Sequence, residues 1–333
     1  MSLFYDLHYY KGYCFKLVMD IAFIRIKYIK ISFTIATLVG LYLSWNKFYS
    51  RYYNEINSME WTLNYKVIVF TTVIYSLGYF IRSMLWAPLR YEFTNQKMAY
   101  WQAFVISAKS WMGRYIPGKI WAFVGKTALS SSSGKDIGLN FAATMTDMFI
   151  FLVSGLILGS LSLFMNNNFS LSIIHQIIVI LTLVIGFIAL FPESNYRLIN
   201  FTLKLFNQDK LKKRVSFKRL LFFFISNLLT LIFWGLSFVI LLNSITPISL
   251  NLVPLVISIY SLSWVLGIIV VFAPAGIGIR EGILIYGLSS TTDIAVTNIF
   301  YATVLIRLVS VFVEVISFVI SIIIEYLLEK NKK

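Results

Sequence analysis

One cysteine, Cys14, and two histidines, His8 and His175, are all that 333 residues offer to thiol and imidazole chemistry. A lone thiol excludes an internal disulfide framework, and two distant imidazoles leave no zinc-ligand cluster. Acids are scarce too. The 14 Asp and Glu residues are scattered and no Asp-x-Asp occurs, so a metal-binding acidic motif is missing, and no metal or other cofactor is expected. The Gly-x-x-x-x-Gly-Lys-Ser/Thr signature is also missing, which argues against direct ATP hydrolysis. Charged residues make up 13% of the chain against 59% hydrophobic. A soluble domain of this size could not cover its surface with so few, and the composition points to an all-α polytopic membrane protein.

Most of the charge that is present is positive, with a net of +15. In a polytopic chain basic residues mark the cytoplasmic face and meet anionic headgroups, so no nucleic-acid partner is expected. Residues 1–30 carry five Lys or Arg without a small-residue cleavage site after a clean apolar core. They read as a basic interfacial segment rather than a cleaved signal.

Apolar runs long enough to cross a bilayer, about 17 to 25 residues, fall near 31–49, 67–88, 137–165, 172–191 and 219–243, with an overlong one at 294–328 expected to be a single helix. Lys and Arg concentrate in 1–30, 89–138, 192–219 and the tail, and are missing from 166–171, 243–250 and 289–293. The positive-inside rule therefore puts both termini in the cytoplasm, and the location expected is the cell membrane. That orientation makes 98–128 a hairpin entering from the cytoplasm and 251–290 a hairpin entering from outside. The second limb of the latter, Ile279 to Ser289, is too short to span.

About six full spans plus two re-entrant hairpins result, arranged as repeats 31–165 and 172–330. Three spans in each half require the second to be inverted. A gap-free offset of 157 residues agrees, placing Pro117 on Pro274, Gly125 on Gly282, and Asp136-Ile137 on Asp293-Ile294.

The hairpins carry the most distinctive residues. In Arg114-Tyr-Ile-Pro-Gly-Lys-Ile-Trp121 and Pro274-Ala-Gly-Ile-Gly-Ile-Arg-Glu-Gly282, proline beside small residues breaks a helix and frees backbone polar groups. At membrane depth such a break must be buried in protein or line a watery cavity. A helix restarting after Pro117 or Pro274 offers amides to an anion. Arg114, Lys119 and Arg280 add charge, with Gly118, Gly276 and Gly278 allowing close approach and Glu281 positioned to neutralise Arg280. For Arg114 and Lys119 the plainer reading is that they are cytoplasmic-face markers.

Depth counting at 1.5 Å per residue puts Asp147 about 17 Å from Asp136 and Arg307 about 21 Å from Asp293. Both fall near the middle of the bilayer, where ionisable residues pair or line a pathway, and Asp147 is expected to meet Arg307. Arg82 and Glu314 are expected to snorkel. Gly155 and Gly159 allow a close helix contact within the chain or with a second copy, so a homo-oligomer stays open.

Gly113 to Trp121, Pro274 to Gly282 and the late Arg307, in this order and architecture, resemble the lysylphosphatidylglycerol synthase transmembrane-region, or flippase-like, family across nearly the whole chain. The resemblance implies a lipid-translocating membrane domain, found fused to an aminoacyl-phospholipid synthase or alone and in some cases tied to cell-surface glycan pathways. Ending at Lys333, the sequence has no room for the soluble aminoacyl-transferase domain, so synthesis of lysyl-lipid is not expected. The function expected is movement of an anionic phospholipid or a polyprenyl-phosphate glycolipid. The alternatives are a membrane-embedded transferase on a polyprenyl-phosphate lipid, and a noncatalytic membrane partner of a glycan or phospholipid enzyme.

Overall fold

Inside a bilayer a helix satisfies its own backbone, and every regular element among the described residues is helical. The computed structural model describes residues 64–115, 120–131, 136–164, 184, 191–205, 210–211, 214–270 and 273–330. The interfacial segment 1–30, the expected spans 31–49 and 172–191 (positions 184 and 191 apart), and Pro117, Gly118 and Lys119 lie outside them.

Ten α-helices follow in order among the described residues: α1 Tyr65–Met84, α2 Trp86–Thr94, α3 Tyr100–Trp111, α4 Ile120–Ser130, α5 Ile137–Phe164, α6 Pro192–Leu205, α7 Phe217–Ile245, α8 Val253–Ile269, α9 Ile279–Ser289 and α10 Val296–Lys330. Five stretches among the described residues are long and apolar enough to cross a membrane: Tyr65–Thr94, Ile137–Leu161, Phe217–Ile245, Leu250–Ile269 and Val296–Leu328. Four coincide with expected spans. The fifth is the first limb of the expected second hairpin, which proves long enough to cross. Its second limb, α9, has 11 residues and reaches only about 16 Å at 1.5 Å per residue. α10 is one continuous helix of 35 residues.

Small residues set how closely these helices pack. A Cβ on Gly155 would lie 2.3 Å from Cγ2 of Val265, and one on Gly159 3.0 Å from Cβ of Leu262. The close partner of the α5 glycines is therefore α8 of the same chain. Where α1, α5, α7 and α8 converge, Trp234 stacks on Tyr75 and on Trp264 with centroids 5.3 and 4.6 Å away, and Phe151 meets both tryptophans edge-on. Stacked and edge-on pairs of this kind add to the stability of area burial alone.

Both helix breaks are present. α3 tightens into a 3-10 turn at Met112–Tyr115 before α4 begins, and a Cβ on Gly113 would fall 2.7 Å from the backbone of Trp121 and Ala122. Only glycine lets the start of α4 rest on that turn. After α8, a 3-10 turn spans Pro274–Gly276, with Ala275, Gly276 and Gly278 at φ 49°, 72° and 82°. These left-handed values are routine for glycine and uncommon for alanine, so the turn is tightly determined. The two turns touch each other.

A shift of 157 residues carries α1 to 222–241, inside α7, and α3 to 257–268, inside α8. It also carries α4 onto most of α9 and α5 onto most of α10. Packing partners follow the same shift: α3 packs on α10 as α8 packs on α5, and α4 packs on α5 as α9 packs on α10.

Candidate functional site

Asp147 on α5 is held from two other helices. Its carboxylate accepts from Arg82 of α1 at 3.0 and 3.4 Å and from Nζ of Lys126 of α4 at 2.7 Å. Nη1 of Arg82 also donates to Oδ1 of Asn227 on α7 at 2.5 Å, and its guanidinium lies 4.1 Å from the Phe151 ring centroid. Two cations thus share one carboxylate. Burial holds the Lys126 ammonium below its ordinary value, with Asp147 pulling the other way.

The second group gathers at the breaks. Arg114, at the end of the first, donates to Glu314 of α10 and to the Tyr115 hydroxyl, and that hydroxyl donates to the other Glu314 oxygen at 2.7 Å. Glu314 is 0% exposed. At the other break Glu281 accepts from the Gly278 amide at 2.6 Å and pairs with Nε of Arg307 at 2.8 Å, while Nη2 of Arg307 donates to the Ala275 carbonyl at 3.2 Å.

Arg280 is the exception. It is 2% exposed and has no carboxylate partner among the described residues. Its guanidinium stacks 3.7 Å from the Trp264 ring centroid, and Nη2 reaches the Tyr260 hydroxyl at 3.4 Å. Nε and Nη1 have no hydrogen-bond partner among the described residues. The glycines make its burial feasible: a Cβ on Gly267 would fall 2.5 Å from Cγ of Arg280, and one on Gly276 3.2 Å from its Cδ.

These groups surround one cavity of about 300 Å³. Among the described residues its charged lining comprises Arg82, Arg114, Lys126, Arg280 and Asp147, and the aromatic lining includes Trp111 and Trp264. The rest of the lining is mostly apolar. Four cations to one carboxylate give its described lining an excess of positive charge, in surroundings where low dielectric strengthens each interaction.

Residues 29–317 match the lysylphosphatidylglycerol synthase TM region. The chain belongs to that family. It is accordingly a multi-pass membrane domain related to lipid biosynthesis or transport. A comparison with curated proteins gives no match.

Within this lysylphosphatidylglycerol synthase TM-region chain, several sequence expectations need correction. Asp147 and Arg307 do not pair: Asp147 holds Arg82 and Lys126, and Arg307 holds Glu281. Depth in the bilayer gives height along a helix but not the direction a side chain faces. Arg82 and Glu314 do not snorkel; both are buried partners of opposite charges. Glu281 neutralises Arg307 rather than its neighbour Arg280, because residues adjacent on a helix point away from each other. It also occupies the Gly278 amide, so that amide of the second break is not free for a ligand. Arg114, Gly276, Gly278, Arg280 and Glu281 do gather at the breaks. Pro274 opens the second turn.

Lys126, Arg82, Glu314 and Trp264 were not singled out as site residues by sequence reasoning. A signal existed for two of them. Tyr75, Tyr79 and Arg82 stand at helical spacing, and so do Arg307, Ser310, Glu314, Ser317 and Ser321. Such polar stripes in apolar helices face protein rather than lipid. No group of His, Cys, Asp and Glu able to hold a metal occurs among the described residues.

Proposed function

We propose that this chain translocates a lipid bearing an anionic phosphate headgroup, and that the cavity between the two breaks receives the headgroup. One observation carries this reading: Arg280, a buried arginine with unmet donors and no counter-charge among the described residues, on the wall of a cavity already rich in cations. A planar guanidinium matches phosphate oxygens, and membrane-embedded charge left without a partner marks a pathway. The lipid is an anionic phospholipid or a polyprenyl-phosphate glycolipid. Its acyl or prenyl chains stay in the bilayer while the headgroup crosses in the polar interior.

The two halves act as inverted repeats, each with a re-entrant hairpin, in the cell membrane with both termini cytoplasmic. Two findings support the inversion: the 157-residue correspondence of helices, with their matching contacts, and the charge asymmetry of the loops. Alternating access then amounts to one repeat rocking against the other around the contact between the two breaks. In a Cys14→Ser background, an impermeant thiol reagent applied from outside should label cysteines placed at Asn167 and Ser290 and leave those at Lys212 and Lys332 unmodified. Outside labelling at Lys212 would overturn the inversion.

The reading itself is tested in proteoliposomes containing labelled phosphatidylglycerol or a labelled polyprenyl-phosphate glycan. Wild type should move at least one of them between leaflets unchanged, and Arg280→Gln should slow that movement at least tenfold while keeping the wild-type elution profile. A chemically altered headgroup would instead show a membrane transferase. Equal rates for Arg280→Gln and wild type would remove the cavity from the pathway.

A further inference from the structure

The walls of the cavity narrow the chemistry of the headgroup. Among the buried side-chain atoms that lack a hydrogen-bond partner are Nε of Arg82, Nε of Arg114, Nε and Nη1 of Arg280, and Nε1 of both Trp111 and Trp264. All five residues line this cavity. Each of these atoms can donate and none can accept, since guanidinium and indole N–H groups carry no acceptor. Side-chain acceptors on the same described walls are few. Both oxygens of Asp147 are taken by Arg82 and Lys126, and the Thr144 hydroxyl accepts from Thr127 while donating to the Asn140 carbonyl.

Charge points the same way. Asp147 offsets one of the four lining cations, and Glu314, which pairs with Arg114, offsets a second. Among the described lining residues two positive charges remain. Trp264 cannot discharge them: it lies 3.7 Å from Arg280 and 5.3 Å from Arg114, and the attraction of a ring face for a cation falls well short of an ion pair in low dielectric. A volume of about 300 Å³ is room for roughly ten waters, enough for a compact polyanion whose chains lie outside.

We infer that this site, read as a lipid-headgroup site, selects headgroups with two negative charges on terminal phosphate oxygens, a phosphomonoester or a pyrophosphate, and rejects headgroups that carry an ammonium. A phosphodiester brings one charge and leaves one cation uncompensated. An aminoacyl or ethanolamine ammonium adds positive charge to a lining that already has an excess of it, and the one carboxylate among the described lining residues already holds two cations. The selectivity thus runs against the aminoacylated lipid for which the family is named.

The test uses the full chain in phosphatidylcholine nanodiscs at pH 8, following tryptophan fluorescence during titration with phosphatidic acid, phosphatidylglycerol, lysyl-phosphatidylglycerol or inorganic pyrophosphate. Phosphatidic acid should bind at least tenfold tighter than phosphatidylglycerol. Lysyl-phosphatidylglycerol should give no saturable change, and pyrophosphate should displace phosphatidic acid from the wild-type protein. Arg280→Gln should bring the ratio of the two anionic lipids toward one, and Arg280→Lys, which keeps the charge, should retain most of it. Equal affinity for phosphatidylglycerol or lysyl-phosphatidylglycerol and phosphatidic acid would overturn the selectivity while leaving lipid transport standing. Binding of pyrophosphate with none of the lipids would keep the doubly charged phosphate and overturn the lipid source. No binding by any of the four overturns both.

Discussion

Replacing Asp147 with asparagine should lower the unfolding free energy by about 3 to 5 kcal/mol, the usual consequence of stranding a buried charge, as read from denaturation in mixed micelles. Asparagine keeps the size and one acceptor, so what is lost is the negative charge between Arg82 and Lys126. The two cations will not respond alike. Lys126 can release its proton when its counter-charge goes, whereas an arginine stays charged at any accessible pH. The residual destabilisation therefore belongs to Arg82. Adding Arg82→Gln to Asp147→Asn should recover most of the loss, and adding Lys126→Met should recover little. If the lysine change rescues and the arginine change does not, the shared-carboxylate account of this cluster is wrong.

That cluster also shows what could and could not be read from residues alone. Hydropathy located α5, α7 and α10 within a few residues, because a bilayer demands long apolar runs and tolerates no other backbone arrangement facing lipid. The 11 residues of α9 were legible from the same rule, as a limb too short to cross. Proline and glycine gave the breaks, since few other residues can end a helix there. Partners were not legible. Arg82 lies near the end of its helix and did not declare itself a partner of Asp147, and Asn227, which carries no charge, did not declare itself the second acceptor of Arg82. Their meeting depends on how α1 and α7 pack, which is a tertiary fact. Arg280 was legible as unusual because basic residues are sparse on the face from which its hairpin was expected to enter. That its neighbour Glu281 would turn away to Arg307 required the helix.

The Arg114 and Glu314 pair lets stability and transport be separated. Glu314 is fully buried and both its oxygens are engaged, by Arg114 and by the Tyr115 hydroxyl. Its helix is therefore tied to the end of the first break, which in turn touches the second. Glu314→Gln leaves the Arg114 charge without an opposite, and Arg114→Gln leaves a carboxylate that must take up a proton or remain stranded. Each single change should cost about 3 to 5 kcal/mol by the same reasoning. The double change leaves no uncompensated charge, so its cost should fall short of the summed single costs by about 2 to 3 kcal/mol, near the upper end of coupling between contacting residues. Transport should not follow stability. Arg114 lines the cavity whereas Glu314 stands behind it, so the double variant should fold and still move lipid at least tenfold more slowly than wild type. Recovery of both properties would make the pair a structural clasp between α10 and the break. Strictly additive losses would mean that the two residues are not coupled at all, and that something other than their charges holds α10 against the turn.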